Sequence, residues 1–397
     1  MVEATITEDM ITSMRERAGT VLRIDHSVNN EEATRLAVTR FVDGIGDPNP
    51  LWRDGALGQA SAYCGAVAPP SWVMAVFSGL QFGWPGLGAF HCRSELVFRR
   101  PIYIGDQVFA ECTYDGFDGP KPSSFADRMV IDHFTNRYRN QHDDDVATIA
   151  WSVINYERGT ARRKAEKRSP AGAGAGGPQW TEQQLLAIEE DVLAESARGA
   201  DPRWWDDVTV GDSLDVLTKG PIGLTDEVAF LAGGGAPIPR LAANGVALRS
   251  YRRHPAWAFR DPDTGSLEPI YAVHYNRRAA NAMGVPLQYD VGFQRQCWQI
   301  HLLTHWIGDD GWVKEASAEY RKFVFHGDVV RLGGEVTARR IDDAGEAVVD
   351  VTTWALNQHG DDVMPGRAVL ALPRRGNGRG PVARRRRTAV DTSVRQP

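Results

Sequence analysis

The chain has little of what would set it apart from an ordinary soluble globular protein. Its 397 residues hold four cysteines, Cys64, Cys92, Cys112 and Cys297. None stands in a CxxC pair, so no disulfide framework or thiolate metal site is expected, and the four read as small buried thiols. No apolar run reaches the ~18 residues of a membrane span. The opening MVEATITEDM is acidic, where a secretory leader would be basic and then apolar. Positive charge is not in excess: the formal net charge of −6 gives no general attraction to nucleic acid or anionic lipid. Together these absences predict a cytoplasmic protein with no nucleic-acid partner and no membrane span.

What the chain does have is a repeat. Ser94-Glu95-Leu96-Val97-Phe98-Arg99-Arg100-Pro101-Ile102-Tyr103-Ile104-Gly105-Asp106 is echoed by Ala316-Ser317-Ala318-Glu319-Tyr320-Arg321-Lys322-Phe323-Val324-Phe325-His326-Gly327-Asp328. The offset is 222 residues, that from Asp106 to Asp328. Asn140-Gln141-His142 returns as Asn357-Gln358-His359, at an offset of 217. A repeat about half the chain long predicts two copies of one domain. Each copy orders its segments alike: a Gly/Pro-rich stretch, an apolar helix, then strand-like runs such as Val108–Thr113 and Val348–Trp354, rich in β-branched and aromatic residues. That order predicts an α+β fold, an antiparallel sheet with a helix on its face. The apolar helices are expected over Trp72–Phe82 and Phe293–Trp306.

Between the copies, RGTARRKAEKRSPAGAGAGGPQW is too basic and too rich in Gly to bury a core, and it reads as a flexible linker over 158–180. Thr181-Glu182-Gln183-Gln184 is a capping-box pattern opening a connecting helix within 181–202. From Arg374 onward the chain carries eight arginines and one aspartate with no aromatic residue, which predicts a disordered tail over 374–397. The Asn-Gln-His segments read as hairpin turns, not metal sites, and no metal is expected.

Phe41-Val42-Asp43-Gly44-Ile45-Gly46-Asp47-Pro48-Asn49-Pro50-Leu51-Trp52 resembles the signature of the MaoC-like hydratases and dehydratases, in which Gly-Asp-x-Asn-Pro-Leu-His carries a catalytic Asp and His. The segment from Arg100 to Asp106 resembles the strand that follows the central helix in that family. The resemblance implies a double hot-dog fold: one unit over 1–157 and one over 203–373, with an insertion near 238–270. It implies reversible addition of water to an enoyl thioester, with coenzyme A as part of the substrate and no other cofactor. It also implies an acyl-CoA or acyl-carrier-protein thioester as ligand, and either a homodimer or a MaoC-like partner subunit.

The departures from the motif are chemical. Trp52 stands where the family has its histidine. In the second copy Phe230 to Pro237 aligns with Phe41 to Pro48, which puts Ala236 at the place of Asp47, and His274 then aligns with Trp52. One copy keeps the acid and the other an imidazole. Hydration needs a base on the attacking water and a proton for the α-carbon, so Asp47 and His274 are the candidate catalytic residues. Asn49, Trp52, Ser71 and Gly292 are the candidate substrate-binding residues, the last two at helix starts whose N–H groups would face the thioester oxygen. Arg99, Arg100, Arg321 and Lys322 are either contacts for coenzyme A phosphates or an exposed strand face. Two further readings stay open: a non-catalytic partner of an active dehydratase, and a hot-dog thioesterase using Asp47 alone.

Overall fold

A computed structural model describes residues 4–80, 82–168, 177–235, 241–376 and 380–383. Ala236, most of the expected Ala171–Gly177 linker and the tail beyond residue 383 lie outside the described residues.

Among the described residues, one antiparallel sheet of ten strands runs through both halves. In spatial order its strands are Thr20–Val21, Val108–Lys121, Met129–Asn140, Asp145–Tyr156, Gly88–Phe98, Trp312–Glu319, Gly366–Ala371, Ala347–Asn357, Val330–Ile341 and Leu217–Lys219. The halves meet edge to edge where Gly88–Phe98 pairs with Trp312–Glu319. Glu95 lies opposite Ser317, which is its own repeat equivalent at the 222-residue offset, so a local twofold axis passes through that pair.

The same symmetry governs the helices. Arg35–Ile45, capped by Thr34, packs against Leu224–Ala232. A Cβ on Gly44 would lie 2.8 Å from the Phe230 Cα, and one on Gly233 would lie 2.7 Å from the Phe41 Cα. Gly44 and Gly233 are repeat equivalents, as are Phe41 and Phe230, so each helix offers its glycine to its partner's aromatic position. Only a residue without a side chain allows so close a crossing.

The repeated motifs hold one another in place. Gln141 Nε2 donates to Asp106 Oδ1 at 2.9 Å, and Gln358 Nε2 donates to Asp328 Oδ1 at 2.6 Å. Asn140 Oδ1 accepts from the His142 and Asp144 amides, as Asn357 Oδ1 does from those of His359 and Asp361. These are turns that close hairpins. The two echoes in the sequence are thus two ends of one structural tie.

The central helices break the symmetry. The second runs from Gly292 to Ile307 and buries nearly every side chain. The first, expected over Trp72–Phe82, is a 3-10 turn at Pro70–Trp72 followed by a helix of only four residues, Val73–Val76. Phe77 is extended, and its carbonyl accepts from the Tyr138 hydroxyl where a longer helix would have used it internally. Gly79 then passes so close to Trp151 that a Cβ would lie 2.8 Å from the indole. The Gly83, Pro85 and Gly86 that follow do not favour a return to helix.

Two other expectations differ. Residues Arg158–Arg168 form a helix, because Arg158 and Ala161 are buried and tie its start to the body of the molecule. The tail begins docked: Arg375 pairs with Asp207 at 2.5 Å, Arg374 lies over the Trp205 ring, and Val382 is buried.

Candidate active site

The shortened first helix leaves the inner face of its own sheet uncovered, and a cavity of about 430 Å³ occupies that place. Phe90, Met129, Phe134, Trp151 and Val153 line it from the first half; Tyr271, His274, Tyr289, Gly292 and Phe293 line it from the second. The walls are mostly apolar and aromatic. Arg321 and Lys322 also line it, and both are exposed, which puts two basic groups at its mouth. They are engaged by Glu319 and Asp361 at 3.0 and 2.6 Å.

His274 ends a 3-10 turn, Ile270–His274, that matches Pro50–Trp52 in the first half. Each turn leads into a short helix capped by a side chain two residues on, Asn276 in one half and Asp54 in the other. His274 therefore takes the structural place of Trp52. Its Nδ1 lies 2.9 Å from the Tyr289 carbonyl. A carbonyl can only accept, so Nδ1 carries the proton and Nε2 keeps its lone pair. Burial, opposed by that hydrogen bond, lowers the imidazole to about 4, so the ring is neutral at neutral pH.

Beside it the long helix begins at Gly292, with no side chain among the described residues capping it. Its first N–H groups have no intrahelical acceptor, and Gly292 and Phe293 line the cavity. The His91 ring packs here: a Cβ on Gly292 would lie 2.9 Å from His91 Nδ1, so only glycine fits. His91 Nε2 donates to the Arg93 carbonyl at 3.0 Å, and burial lowers this imidazole to about 3. Asp290 and Arg295 form a buried fork at 2.7 and 2.5 Å. In the first-half wall Asp132 accepts from Trp84, Tyr114 and Asn155, and burial raises it to about 7.

Asp47 lies elsewhere. It follows Gly46, the left-handed residue (φ 60°) that ends Arg35–Ile45, and it is buried. Its Oδ1 accepts from the Asn49 amide at 2.9 Å and lies 3.0 Å from His305 Nε2; its Oδ2 accepts from Trp52 Nε1 at 2.9 Å. Burial pushes this carboxyl up, but His301 and His305 outweigh it and hold Asp47 well below the usual carboxylate range. The imidazole missing from the first-half motif is thus replaced by two from the second half's central helix.

Of the residues singled out in the sequence, His274 and Gly292 come together at the large cavity. Asp47, Asn49, Trp52 and Ser71 do not line it. Asn49 caps the turn Pro50–Trp52 through the Leu51 amide. Ser71 is buried at the start of the short helix. The void beside Asn49 and Trp52 is only about 10 Å³, too small for an acyl group. His91, Asp132, Glu195, His301 and His305 escaped the sequence reading. The spacing of His301 and His305, one helical turn apart in an apolar stretch, is a signal that could have found that pair.

Comparison with known proteins agrees with this architecture. A model of the FAS1-like dehydratase domain region matches residues 23–149. The chain superposes on a MaoC-like dehydratase with a TM-score of 0.59 at 15% identity, over 91% of this chain and 99% of that one. It also superposes on a Mycobacterium tuberculosis protein with a double hotdog fold, with a TM-score of 0.51 at 14% identity, over 89% of this chain and 96% of that one. The chain has the double hot-dog fold. Among curated proteins it resembles the 3-oxo-4,17-pregnadiene-20-carboxyl-CoA hydratase alpha subunit of Mycobacterium tuberculosis. The two are 26% identical over 145 residues, which is 30% of this chain and 43% of that subunit. A UPF0336 protein of Streptomyces avermitilis is 28% identical over 109 residues, 25% of this chain and 69% of that protein. The match thus spans less than half of the hydratase subunit. Among the described residues, no helix is long and apolar enough to cross a membrane.

Proposed function

We propose that the chain adds water reversibly to the double bond of an enoyl thioester in the large cavity, with His274 as the acid–base residue. The observation that carries this reading is the His274 imidazole, its tautomer set by the Tyr289 carbonyl, beside the uncapped first turn of the Gly292–Ile307 helix in a cavity of about 430 Å³. Nε2 takes a proton from water as the water oxygen bonds to the β-carbon. The π pair moves toward the thioester oxygen, where the Gly292 and Phe293 amides and the positive end of the helix stabilise the charge. The imidazolium then gives its proton to the α-carbon, and the ring returns to its starting state.

The apolar walls suit a large acyl group, and Arg321 with Lys322 at the mouth suits the phosphates of coenzyme A. Similarity to a hydratase of an acyl-CoA supports the same class, and that relative's being an alpha subunit makes a MaoC-like partner a reasonable requirement for full activity. Incubating the purified chain with short and bulky enoyl-CoAs, and identifying products by mass, tests the reading. The expected product is heavier by one water, and its formation is lost in His274→Gln. Free coenzyme A without hydration would point to a thioesterase. Turnover unchanged in His274→Gln would remove this residue, and inactivity of every substrate would favour a partner role.

A further inference from the structure

Four side chains from three distant parts of the chain converge between the two hot-dog units. Asp47 comes from the first-half motif, and His301 and His305 come from one face of the second half's central helix. Glu195 comes from the segment that follows the helix Glu182–Leu193. One donor atom from each lies within 4.8 Å of all the others. His301 Nε2 is 3.4 Å from Asp47 Oδ1, His305 Nε2 is 3.0 Å from the same oxygen, and His305 Nδ1 is 3.5 Å from Glu195 Oε1. Four ligands held about 2.0–2.2 Å from a tetrahedral ion stand roughly 3.3–3.6 Å from one another; the His301–Asp47 separation is of that size, while the His305 Nε2–Asp47 and His301 Nε2–Glu195 contacts are shorter and would open around an ion.

A second observation concerns satisfaction. The His301 side chain is completely buried, yet among the described residues neither of its ring nitrogens has a hydrogen-bond partner, and Glu195 Oε1 has none either. His301 Nε2 and Glu195 Oε1 nevertheless touch. Two buried polar atoms in contact without the alignment of a hydrogen bond are costly as a pair, but they are well placed to share a third atom.

The surroundings are those of a ligand set with an outer shell. Trp52 Nε1 and the Asn49 amide orient the Asp47 carboxylate. Lys219 Nζ lies 3.6 Å from Glu195 Oε2 and donates to the Gly46 carbonyl at 2.7 Å. Lys219 offsets one of the two carboxylates, so with neutral imidazoles the cluster keeps one negative charge.

We propose that Asp47, Glu195, His301 and His305 bind a divalent first-row transition ion of the zinc class, which clamps the first hot-dog unit to the second. Two imidazoles and two carboxylates without thiolate suit zinc, iron(II) or manganese(II). With four protein ligands, none of whose side chains is more than 9% exposed, the site is closed, which is the mark of a structural ion rather than a catalytic one. Trp52, in the place of the family's histidine, serves here to aim a ligand.

The test uses the full chain without a polyhistidine tag, stripped with chelator, then dialysed against Zn²⁺ and separately against Co²⁺. One Zn²⁺ per chain retained through gel filtration, a higher Tm with Zn²⁺ than with chelator, and the intense visible bands of four-coordinate Co²⁺ are the expected results. His301→Gln and Glu195→Gln should each weaken Zn²⁺ binding by at least about 100-fold, while Trp52→Phe keeps one ion per chain. Wild-type protein that retains no Zn²⁺ and shows the same Tm in Zn²⁺ and chelator overturns the proposal and leaves a cluster held by protons alone. Full retention of Zn²⁺ by folded His301→Gln also overturns it. The wild-type readouts decide the matter even if a variant fails to fold, and none of them depends on hydratase activity.

Discussion

The two hot-dog units share a topology and differ in one helix. The first stops its central helix at Val76 and leaves its sheet open to a cavity; the second carries its helix on to Ile307 and fills the equivalent space. In the proposed reaction the labour is divided: the second half supplies His274 and the helix N-terminus, and the first half supplies the apolar wall for the acyl group. The long helix also brings His301 and His305 against Asp47, so the first-half motif is closed by its partner. One copy of the duplicated domain has a short central helix and a cavity beside it, and the other has the long helix. The repeat positions that hold the fold, namely the paired glycines, the Gln–Asp ties and the Glu95–Ser317 pair, stay alike in both.

The comparison breaks most sharply at its chemical positions. His274→Trp gives the second half the first half's residue, and it should lower kcat/KM for an enoyl-CoA by ~10²–10⁴; Trp52→His should leave that value unchanged. Steady-state hydration kinetics check both, and equal effects would make the halves equivalent. At the cavity itself, Val153→Trp should raise KM for bulky acyl groups while sparing a four-carbon substrate.

The symmetric positions should respond alike. Gly44→Val and Gly233→Val each force a side chain into the partner helix, and each should cost roughly 1–3 kcal/mol in denaturant unfolding. A large loss in one and none in the other would mean that the crossing is not shared.

His274 gives a pH signature. Its folded value of about 4 lies below the ~6.5 of an unfolded histidine, so between those values the unfolded chain binds more protons. Stability should therefore fall as pH drops from about 6.5 to 4, by up to ~1.4 kcal/mol per pH unit from this residue, and this contribution should level off below 4. His274→Gln should flatten the slope in urea titrations across that window. The acid limb of kcat/KM should likewise lie near 4 rather than 6.5. The smallest effect belongs to the ties: Gln141→Ala and Gln358→Ala should each cost about 0.5–1.5 kcal/mol, by equal amounts in the two halves.

Sequence alone determined the duplication, the α+β class and the double hot-dog fold. Repeats, alternation and the Gly-Asp-x-Asn-Pro motif are local patterns, readable without knowing which segments meet. It also placed His274 at the position of Trp52, because the alignment of the halves survives a long insertion. It could not tell where the first central helix ends. Trp72 to Phe82 is apolar throughout, and the stop at Val76 is decided by the Tyr138 hydroxyl and the Trp151 indole, both distant in the chain. Nor could it bring Asp47 to His301, His305 and Glu195. Those residues are separated by more than a hundred positions from Asp47, and only the packing of one unit's motif against the other's helix makes them neighbours.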